Sequence, residues 1–428
     1  MKMNKKILDF IRRDCLDRFL RYVKIWSTSN EDSNTHPSTL QQVEFGKILM
    51  KELIKEEITD VSQDEFGYIY AFLSASEGYA QGPAIGLIAH LDTSPAVSGK
   101  NVNPVIHKNY NGKPIKFDQN KHLTLSFEDS KQLENYLGLD LITAQGDTLL
   151  GADDKAGIAE IMTACAAWKR FPEDLKHGPI HIIFTPDEEI GKGTKNIDLK
   201  KLPKVCYTVD GSEMGQLETE CFDAWGIDIT FEGLNVHPGY AKDIMVNAIH
   251  IACRFLSEIP EFESPERTEK REGFYHLMNL EGSEEKAQAN LILRDFVLEN
   301  NEKRMRYLKS LSEVYKNRYP GLKLELDVKH QYENMINYLQ EARKIIEFAK
   351  KAIESTGLEV KSHSIRGGTD GARLSALGIP TPNIFTGGIL FHSKKEYIPT
   401  LALQKATEAL LYLADFWKDE KDEKYKKN

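Results

Sequence analysis

The chain has 428 residues, of which 41% are hydrophobic and 28% are charged. These values are typical of a folded globular protein, and at about 150 residues per domain the length predicts two or three domains. A formal net charge of -9 has the wrong sign for neutralising phosphates, so we expect no nucleic-acid partner. The apolar runs fall far short of the roughly 18 residues that a membrane span needs, so we expect no membrane partner.

The cysteines predict a reducing compartment. They are odd in number, widely separated and without a Cys-x-x-Cys pair: Cys15, Cys165, Cys206, Cys221 and Cys253. This pattern argues against a disulfide framework and against a thiolate zinc site. The basic segment 1–10 also lacks the apolar core and cleavage site of a secretory signal, so we expect a cytoplasmic protein.

The first predicted elements alternate between helix and strand. Ser38 and Gln41 form a capping-box pattern, and the apolar spacing after them predicts an amphipathic helix. The next predicted elements are strands at 68–73 and 84–89, a helix at 156–169, and strands at 180–184 and 205–209. This alternation predicts an α/β sheet, in which polar residues directly after the strands form sites.

From about residue 221 the pattern changes to βαββαβ. The predicted elements are a strand at 226–231, a helix at 243–258, strands at 273–280 and 287–296, a helix at 299–318 and a strand at 322–328. This order is typical of the ferredoxin-like split βαβ arrangement. We therefore predict a mixed-sheet α/β domain formed by residues 1–218 and 334–428, with a ferredoxin-like domain inserted at 219–333.

Several polar residues lie directly after predicted strands. His90 and Asp92 form a His-x-Asp pair, which alone is most often an ordinary loop feature. Asp153 and Asp154 lie at a strand-to-helix corner, where helix capping is the simpler interpretation. The adjacent acids at 187–189 repel one another, so they need either a cation or exposure to water.

Taken together, these residues predict a metal site. Two histidines, His90 and His392, and three carboxylates provide the nitrogen and oxygen ligands of zinc without sulfur. A spare glutamate remains for base catalysis. Five ligands serve two tetrahedral metal ions if one carboxylate bridges them, a position that suits Asp153.

The same residues lie in motifs that resemble the peptidase T family, the aminotripeptidase branch of the zinc aminoacylase and carboxypeptidase superfamily. The resemblance extends over nearly the whole chain, in the same order as in the family. The motifs are RFLRYVK (18–24), AHLDTS (89–94), LGADDKAG (150–157), TPDEEIG (185–191), YTVDG (207–211), VHPG (236–239), MVNA (245–248), RDF (294–296) and RGGTDGARL (366–374).

The resemblance implies a di-zinc aminopeptidase that removes the N-terminal residue of short peptides, chiefly tripeptides, with Mn²⁺ or Co²⁺ as alternative ions. One zinc would be held by His90, Asp153 and Asp210, and the other by Asp153, Glu189 and His392. Glu188 would be the general base, and Asp92 would orient His90. The resemblance also implies a cis peptide bond between Asp153 and Asp154.

The inserted domain would act as a lid and as the contact of a homodimer. His237 would stabilise the oxyanion from the other subunit, and Arg294 would grip the peptide carboxylate. Arg366 and Arg373 are further candidates for substrate binding. Other roles stay open: His237 as a surface histidine, Arg294 in a strand salt bridge, and the other two arginines holding their loop.

Other functions also stay open at this point. The same groups could hydrolyse a dipeptide or an N-acyl amino acid, or could belong to a metal-stabilised peptide-binding protein without turnover. A nucleotide-binding function is less favoured, because no Gly-x-Gly-x-x-Gly follows a predicted strand. The sequence departs from the family pattern at Ser212, Leu390 and Ser393, which lie beside two proposed ligands and affect the expected substrate range.

Overall fold

The structure is a computed structural model that describes residues 3–421 and 423–425. The chain divides into two compact units. The first unit is formed by Met1–Thr219, Tyr338–His363 and Thr369–Asn428, and the second by Glu220–Asn337 with Ser364–Gly368. The insert that we predicted is continuous, whereas the second unit also includes this short later segment.

The described α-helices are α1 (Lys5–Tyr22), α2 (Leu40–Lys55), α3 (Ala152–Arg170), α4 (Ala248–Ser257), α5 (Leu298–Arg318), α6 (Ile336–Leu339), α7 (Arg343–Ser355), α8 (Asp370–Ala376) and α9 (Thr400–Trp417). The strands of the first half are β1 (Thr59–Gln63), β2 (Ile69–Leu73), β3 (Ile85–His90), β4 (Val105–His107), β5 (Ile115–Lys116), β6 (Thr124–Leu125), β7 (Leu141–Thr143), β8 (Ile180–Thr185), β9 (Val205–Gly211) and β10 (Gln216–Cys221). The remaining strands are β11 (Asp223–Glu232), β12 (Phe274–Gly282), β13 (Lys286–Asp295), β14 (Lys323–Tyr332), β15 (Lys361–Ile365), β16 (Asn383–Phe385) and β17 (Tyr397–Pro399).

An eight-stranded sheet organises the first unit, in the order β1-β2-β8-β3-β9-β16-β10-β15. Its central strands β8, β3, β9 and β16 are parallel, and β1, β2 and β10 add antiparallel pairs. All six residues of β3 are buried, as expected for a parallel strand covered on both faces. The predicted α/β fold class is therefore confirmed.

Helices α1, α3, α7 and α9 pack against one another beside this sheet. Helix α3 contacts β3 and β9, and nearly every residue of its middle is buried. Its many alanines and Gly157 keep its surface small, which allows it to lie close to the strands. This packing places the N-terminus of α3 at the carboxyl ends of the parallel strands.

The second unit has the predicted βαββαβ order, β11-α4-β12-β13-α5-β14. Its sheet has the order β12-β13-β11-β14, and every adjacent pair is antiparallel. This is the ferredoxin-like arrangement. Alternate residues of β11, Ile227, Ile229 and Phe231, point into a core that α4 and α5 complete.

Some local predictions were wrong. The predicted capping box is not formed. Thr39, rather than Ser38, is the residue before the first turn of α2, and the hydroxyl of Ser38 donates to the carboxylate of Asp187. The helix predicted at 243–258 begins only at Ala248, where the side chain of Asn247 accepts from the backbone N–H of His250. In residues 3–421 and 423–425, no helix combines the length and apolar character of a membrane span.

Candidate metal centre and active site

The parallel strands bring the first candidate residues together. His90 ends β3, Asp210 lies near the end of β9, and Glu188 and Glu189 follow β8. In the register of the sheet, His90 is opposite Thr185, the last residue of β8. Neighbouring parallel strands end at the same edge of the sheet. His90, Asp210 and the two glutamates therefore lie at that edge.

The five predicted ligands form one continuous cluster. His90 Nε2 lies 2.8 Å from Asp153 Oδ1 and 3.5 Å from Asp210 Oδ1. His392 Nε2 lies 3.1 Å from Asp153 Oδ2 and 2.8 Å from Glu189 Oε2. The carboxylate of Asp153 therefore lies between the two imidazoles and directs one oxygen to each.

Asp92 fixes the ring of His90. His90 Nδ1 lies 3.0 Å from the Asp92 carbonyl oxygen and 3.3 Å from its Oδ1 atom. Both oxygens accept, so Nδ1 carries a proton, and Nε2, which faces Asp153, is the nitrogen that would bind a metal. The carboxylate of Asp92 also accepts from the backbone N–H groups of Glu188 and Glu189, which ties the end of β8 to that of β3.

The charge of the cluster fits divalent cations. Burial and the charge of Asp153 raise the pKa of Glu189 to about 8 and that of Asp210 to about 7. Glu189 Oε1 is buried and accepts no hydrogen bond. Partial burial lowers the pKa of His392, but hydrogen bonds to Asp153 and Glu189 outweigh it and raise the pKa to about 11. Carboxylates thus exceed the positive charge that two imidazoles can supply, and bound cations would correct this imbalance.

Glu188 is half-buried and lies beside this cluster. Burial, followed by the charge of Asp370, raises the pKa of its carboxyl well above the ordinary value. The described ion pairs of the two histidines involve Asp92, Asp153, Glu189 and Asp210, so Glu188 is outside them. Its predicted role as the general base stays a prediction.

The sequence analysis gave no role in the site to four acids that are buried near the cluster: Asp154, Asp187, Asp370 and Glu396. The peptide bond before Asp154 is cis, as the resemblance implied, and its carboxylate accepts from the backbone N–H groups of His90 and Gly157. Asp154 also lies within 4.8 Å of His90 and Asp210 in a group that could hold a metal. Its place beside Asp153 was the only sequence signal for this role.

Asp187 and Asp370 contact segments that are distant in sequence. Asp187 is buried and accepts from Ser38 and Gln42, so exposure to water does not explain this first acid of the 187–189 motif. Asp370 accepts from the hydroxyl of Thr185 at 2.7 Å. Neither contact follows from local spacing.

The departures from the family pattern lie in the loop of His392 or contact it. Leu390 and His392 have positive φ values of 57° and 58°. The hydroxyl of Ser393 donates to the Leu390 carbonyl at 2.7 Å, and that of Ser212 donates to the Gly388 carbonyl at 2.9 Å. These residues therefore hold the loop that presents His392.

The second unit contains His237, the predicted oxyanion-stabilising residue, and Arg294, a predicted substrate-binding residue. His237 is exposed and accepts from the backbone N–H of Gly239. Arg294 donates to the Trp225 and Leu293 carbonyls and to the side chain of Gln331. Their roles toward a substrate stay predictions.

The other two arginines lie in different units. Arg366, in the second unit, donates to the carbonyls of Lys270 and Glu272 and to the side chain of Thr268. These contacts favour the loop-holding role that the sequence left open. Arg373, in the first unit, lies beside Gly191, which follows the 187–189 acids. Substrate binding by either arginine stays a prediction.

Comparison with known proteins places this arrangement in a family. Residues 149–415 match the model of peptidase family M20/M25/M40. Peptidase T of Clostridium acetobutylicum is 45% identical over 405 residues, which cover 94% of this chain and 99% of that protein.

Solved structures share the fold. The aminopeptidase PepT of Bacillus cereus superposes with a TM-score of 0.73 at 22% identity, covering 94% of this chain and 98% of that one. A tripeptidase of Staphylococcus aureus gives the same TM-score and identity, covering 96% and 99%. The chain therefore belongs to peptidase family M20/M25/M40, in its peptidase T branch.

Proposed function

We propose that this chain is a metal-dependent aminopeptidase that removes the N-terminal residue of short peptides, chiefly tripeptides. The observation that carries the proposal is the cluster in which Asp153 lies between His90 and His392, with Glu188 beside it. Its relatives support the same activity, because they are named peptidase T, aminopeptidase and tripeptidase.

The cluster would hold two divalent ions, which we propose to be zinc, with manganese or cobalt as alternatives. His90, Asp153 and Asp210 would bind one ion, and Asp153, Glu189 and His392 would bind the other. Nitrogen and oxygen ligands of this kind suit zinc. When bound, such a metal pair polarises the scissile carbonyl group and stabilises the charge that develops on its oxygen.

The chain's own residues would carry the proton. The carboxylate of Glu188 accepts a proton from the attacking water and later donates it to the leaving amine. Asp92 keeps His90 in the required tautomer and holds the backbone of Glu188, so the base and the ligand cluster are fixed together. A single buried carboxylate thereby couples metal binding to proton transfer.

The residues of the second unit would act on the substrate. We assign stabilisation of the oxyanion to His237 and recognition of the peptide carboxylate to Arg294, since a planar guanidinium can donate two parallel hydrogen bonds. His237 would act from the other subunit of a homodimer. We place the enzyme in the cytoplasm, in agreement with its five free cysteines.

A substrate panel tests the proposal. Purified protein is assayed with and without zinc, manganese or cobalt on dipeptides, tripeptides, tetrapeptides and N-acetyl amino acids. We expect release of the amino-terminal residue, fastest from tripeptides and lost on chelation. Faster hydrolysis of dipeptides or N-acetyl amino acids would show that the enzyme acts on a different class of amide substrate. Peptide binding without turnover would contradict the proposal that the protein is an enzyme.

A further inference from the structure

Both carboxylate oxygens of Glu396 accept hydrogen bonds from the backbone of one loop. Glu396 is 1% exposed. Its Oε2 atom accepts from the N–H groups of Leu150 at 2.7 Å and Gly151 at 2.9 Å. Its Oε1 atom accepts from those of Ala152 at 2.7 Å and Asp153 at 3.3 Å. Four successive backbone donors therefore converge on one side chain.

These contacts lie on the two segments that meet at the cluster. Residues 150–153 form a loop, because Asp153 has non-helical backbone angles although α3 is counted from Ala152. This loop ends in Asp153, whose carboxylate lies between the imidazoles. Glu396 follows His392 by four residues and precedes β17. One short segment thus presents His392 and also holds the backbone that presents Asp153.

Orientation of Asp153 depends on this backbone. Its two oxygens face different imidazoles, 2.8 Å from His90 and 3.1 Å from His392. A rotation or shift of the loop would remove at least one of these contacts. Accepting from four consecutive N–H groups restrains the loop much more than one hydrogen bond does, and it also satisfies donors that α3 leaves unpaired at its start.

We propose that Glu396 is a positioning residue that orients Asp153 between the two metal ions. The proposal rests on the proposed function only in taking Asp153 as a shared metal ligand. It assigns to Glu396 no contact with metal or substrate. Substitution of Glu396 should therefore weaken metal binding even though every ligand remains in the chain.

The direct test is Glu396→Gln in the full chain. The amide keeps the size of the side chain but replaces one acceptor with a donor, which opposes two backbone N–H groups. We expect zinc affinity, measured by competition with a chromophoric chelator, to fall about 10- to 100-fold, the usual effect of losing a residue that supports a ligand. Glu396→Asp keeps the charge but shortens the reach, so we expect an intermediate loss.

The matched control is Glu408→Gln. Glu408 is also buried, at 4% exposure, but its carboxylate accepts from Gln404 and Lys405 of its own helix. We expect this control to bind zinc as the parent does. An equal loss of affinity in the control would overturn the specific role of Glu396.

A spectrum separates positioning from general stability. In cobalt-loaded protein, the visible absorption reports ligand geometry, so Glu396→Gln should change its shape at full metal occupancy. A lower melting temperature with unchanged zinc affinity and cobalt spectrum would mean a structural role only and would overturn the proposal. These measurements need no peptide, so a parent that binds metal but hydrolyses nothing would refute the proposed function and leave this test intact.

If neither variant folds, hydrogen exchange in the parent decides. The N–H groups of residues 150–153 should exchange as slowly as those of the buried strand β3. Exchange at the rate of an exposed loop would show that Glu396 does not hold them, and would overturn the proposal.

Discussion

Glu188 and Glu189 are adjacent in the chain but face different groups. Glu189 contacts His392 at 2.8 Å, whereas Glu188 lies near Asp370 and takes no part in the ion pairs of the histidines. Neighbouring side chains after a strand point in different directions, so one acid can serve the metal cluster and the other can serve proton transfer.

We predict that Glu188→Gln keeps the fold and the metals but lowers kcat on a tripeptide by roughly 100-fold or more, the scale of losing a general base. The amide cannot accept the proton from water, although it fills the same volume. Turnover is compared at equal metal content, measured by mass spectrometry, with Glu173→Gln as an exposed control. Equal turnover in Glu188→Gln and the parent would remove the proposed base.

A buried acid in the middle of α3 predicts a stability that depends on pH. Glu160, in α3, is fully buried, and neither of its carboxyl oxygens has a hydrogen-bond partner. Burial raises the pKa of Glu160 well above the ordinary value of 4.5. Burial also raises the pKa of its titratable neighbour Cys15. The folded state therefore keeps a proton that the unfolded chain has lost.

We predict that Glu160→Gln is increasingly more stable than the parent as the pH rises. Above pH 4.5 the Glu160 carboxyl binds more protons in the folded state than in the unfolded state. This one group therefore lowers the unfolding free energy of the parent as the pH rises, by up to about 1.4 kcal/mol per pH unit, until the folded pKa is reached. The neutral amide removes this loss. Urea unfolding at several pH values from 5 to 9 measures the difference in unfolding free energy between the variant and the parent. A difference that stays constant over this pH range would contradict the prediction.

At the scale of elements, α3 lies close to β9 because Gly157 has no side chain. A methyl group there would overlap the Val209 carbonyl and the Asp154 carboxylate. Alanine raises helix propensity by about 1 kcal/mol, but an overlap with backbone in a packed core costs typically 1 to 3 kcal/mol. The overlap also falls directly beside Asp210.

Gly157→Ala should therefore lower the unfolding free energy by up to about 2 kcal/mol and weaken zinc binding, since it displaces the end of β9. Urea unfolding and zinc titration measure the two effects. Gly367→Ala is the matched control, because a methyl group there meets only Ile365 Cγ2 at 3.9 Å. An unchanged Gly157→Ala protein would show that this close approach does not matter.

Most of the sheet could be predicted because its strands are short apolar runs. The helix α1 escaped prediction, although Ile7, Ile11, Cys15 and Phe19 are buried at the four-residue spacing of a helix. Many charged residues lie between these buried positions, so the segment contains no long apolar run that would indicate the helix. Helix α9 is apolar on most of its surface and therefore gives a weak periodic signal.

The candidate site was predictable where a residue follows a strand. Parallel strands bring His90, Glu189 and Asp210 to one edge, so their proximity follows from the alternation of helix and strand. The partners of Glu396 could not be predicted in this way, since Leu150 and Glu396 are 246 residues apart. Such contacts depend on how loops pack, which local patterns do not specify.

At the scale of the whole molecule, we predict a two-fold symmetric homodimer formed through residues of about 219–333. The second unit has an edge strand, β12, with exposed Leu277 and Met278. Edge strands with unpaired backbone groups are ready to pair with another chain. Light scattering of the purified protein measures the assembly, and an active monomer would contradict it.

The dimer also predicts complementation between variants. His237→Ala should lower turnover with both metals retained, and mixing it with Glu188→Gln should restore part of the activity. In a mixed dimer, one site combines an intact base with an intact histidine. If proven subunit exchange restores nothing, His237 does not act from the other subunit.

We propose that five residues form one dinuclear metal centre around Asp153. Anomalous diffraction from crystals of the zinc-loaded protein, recorded on both sides of the zinc absorption edge, tests it most directly. We predict two ions about 3.5 to 4 Å apart, both in contact with Asp153, with His90 and Asp210 on one and Glu189 and His392 on the other. A map in which Asp153 touches neither ion, or in which these residues hold only one ion, would show that this centre is not formed.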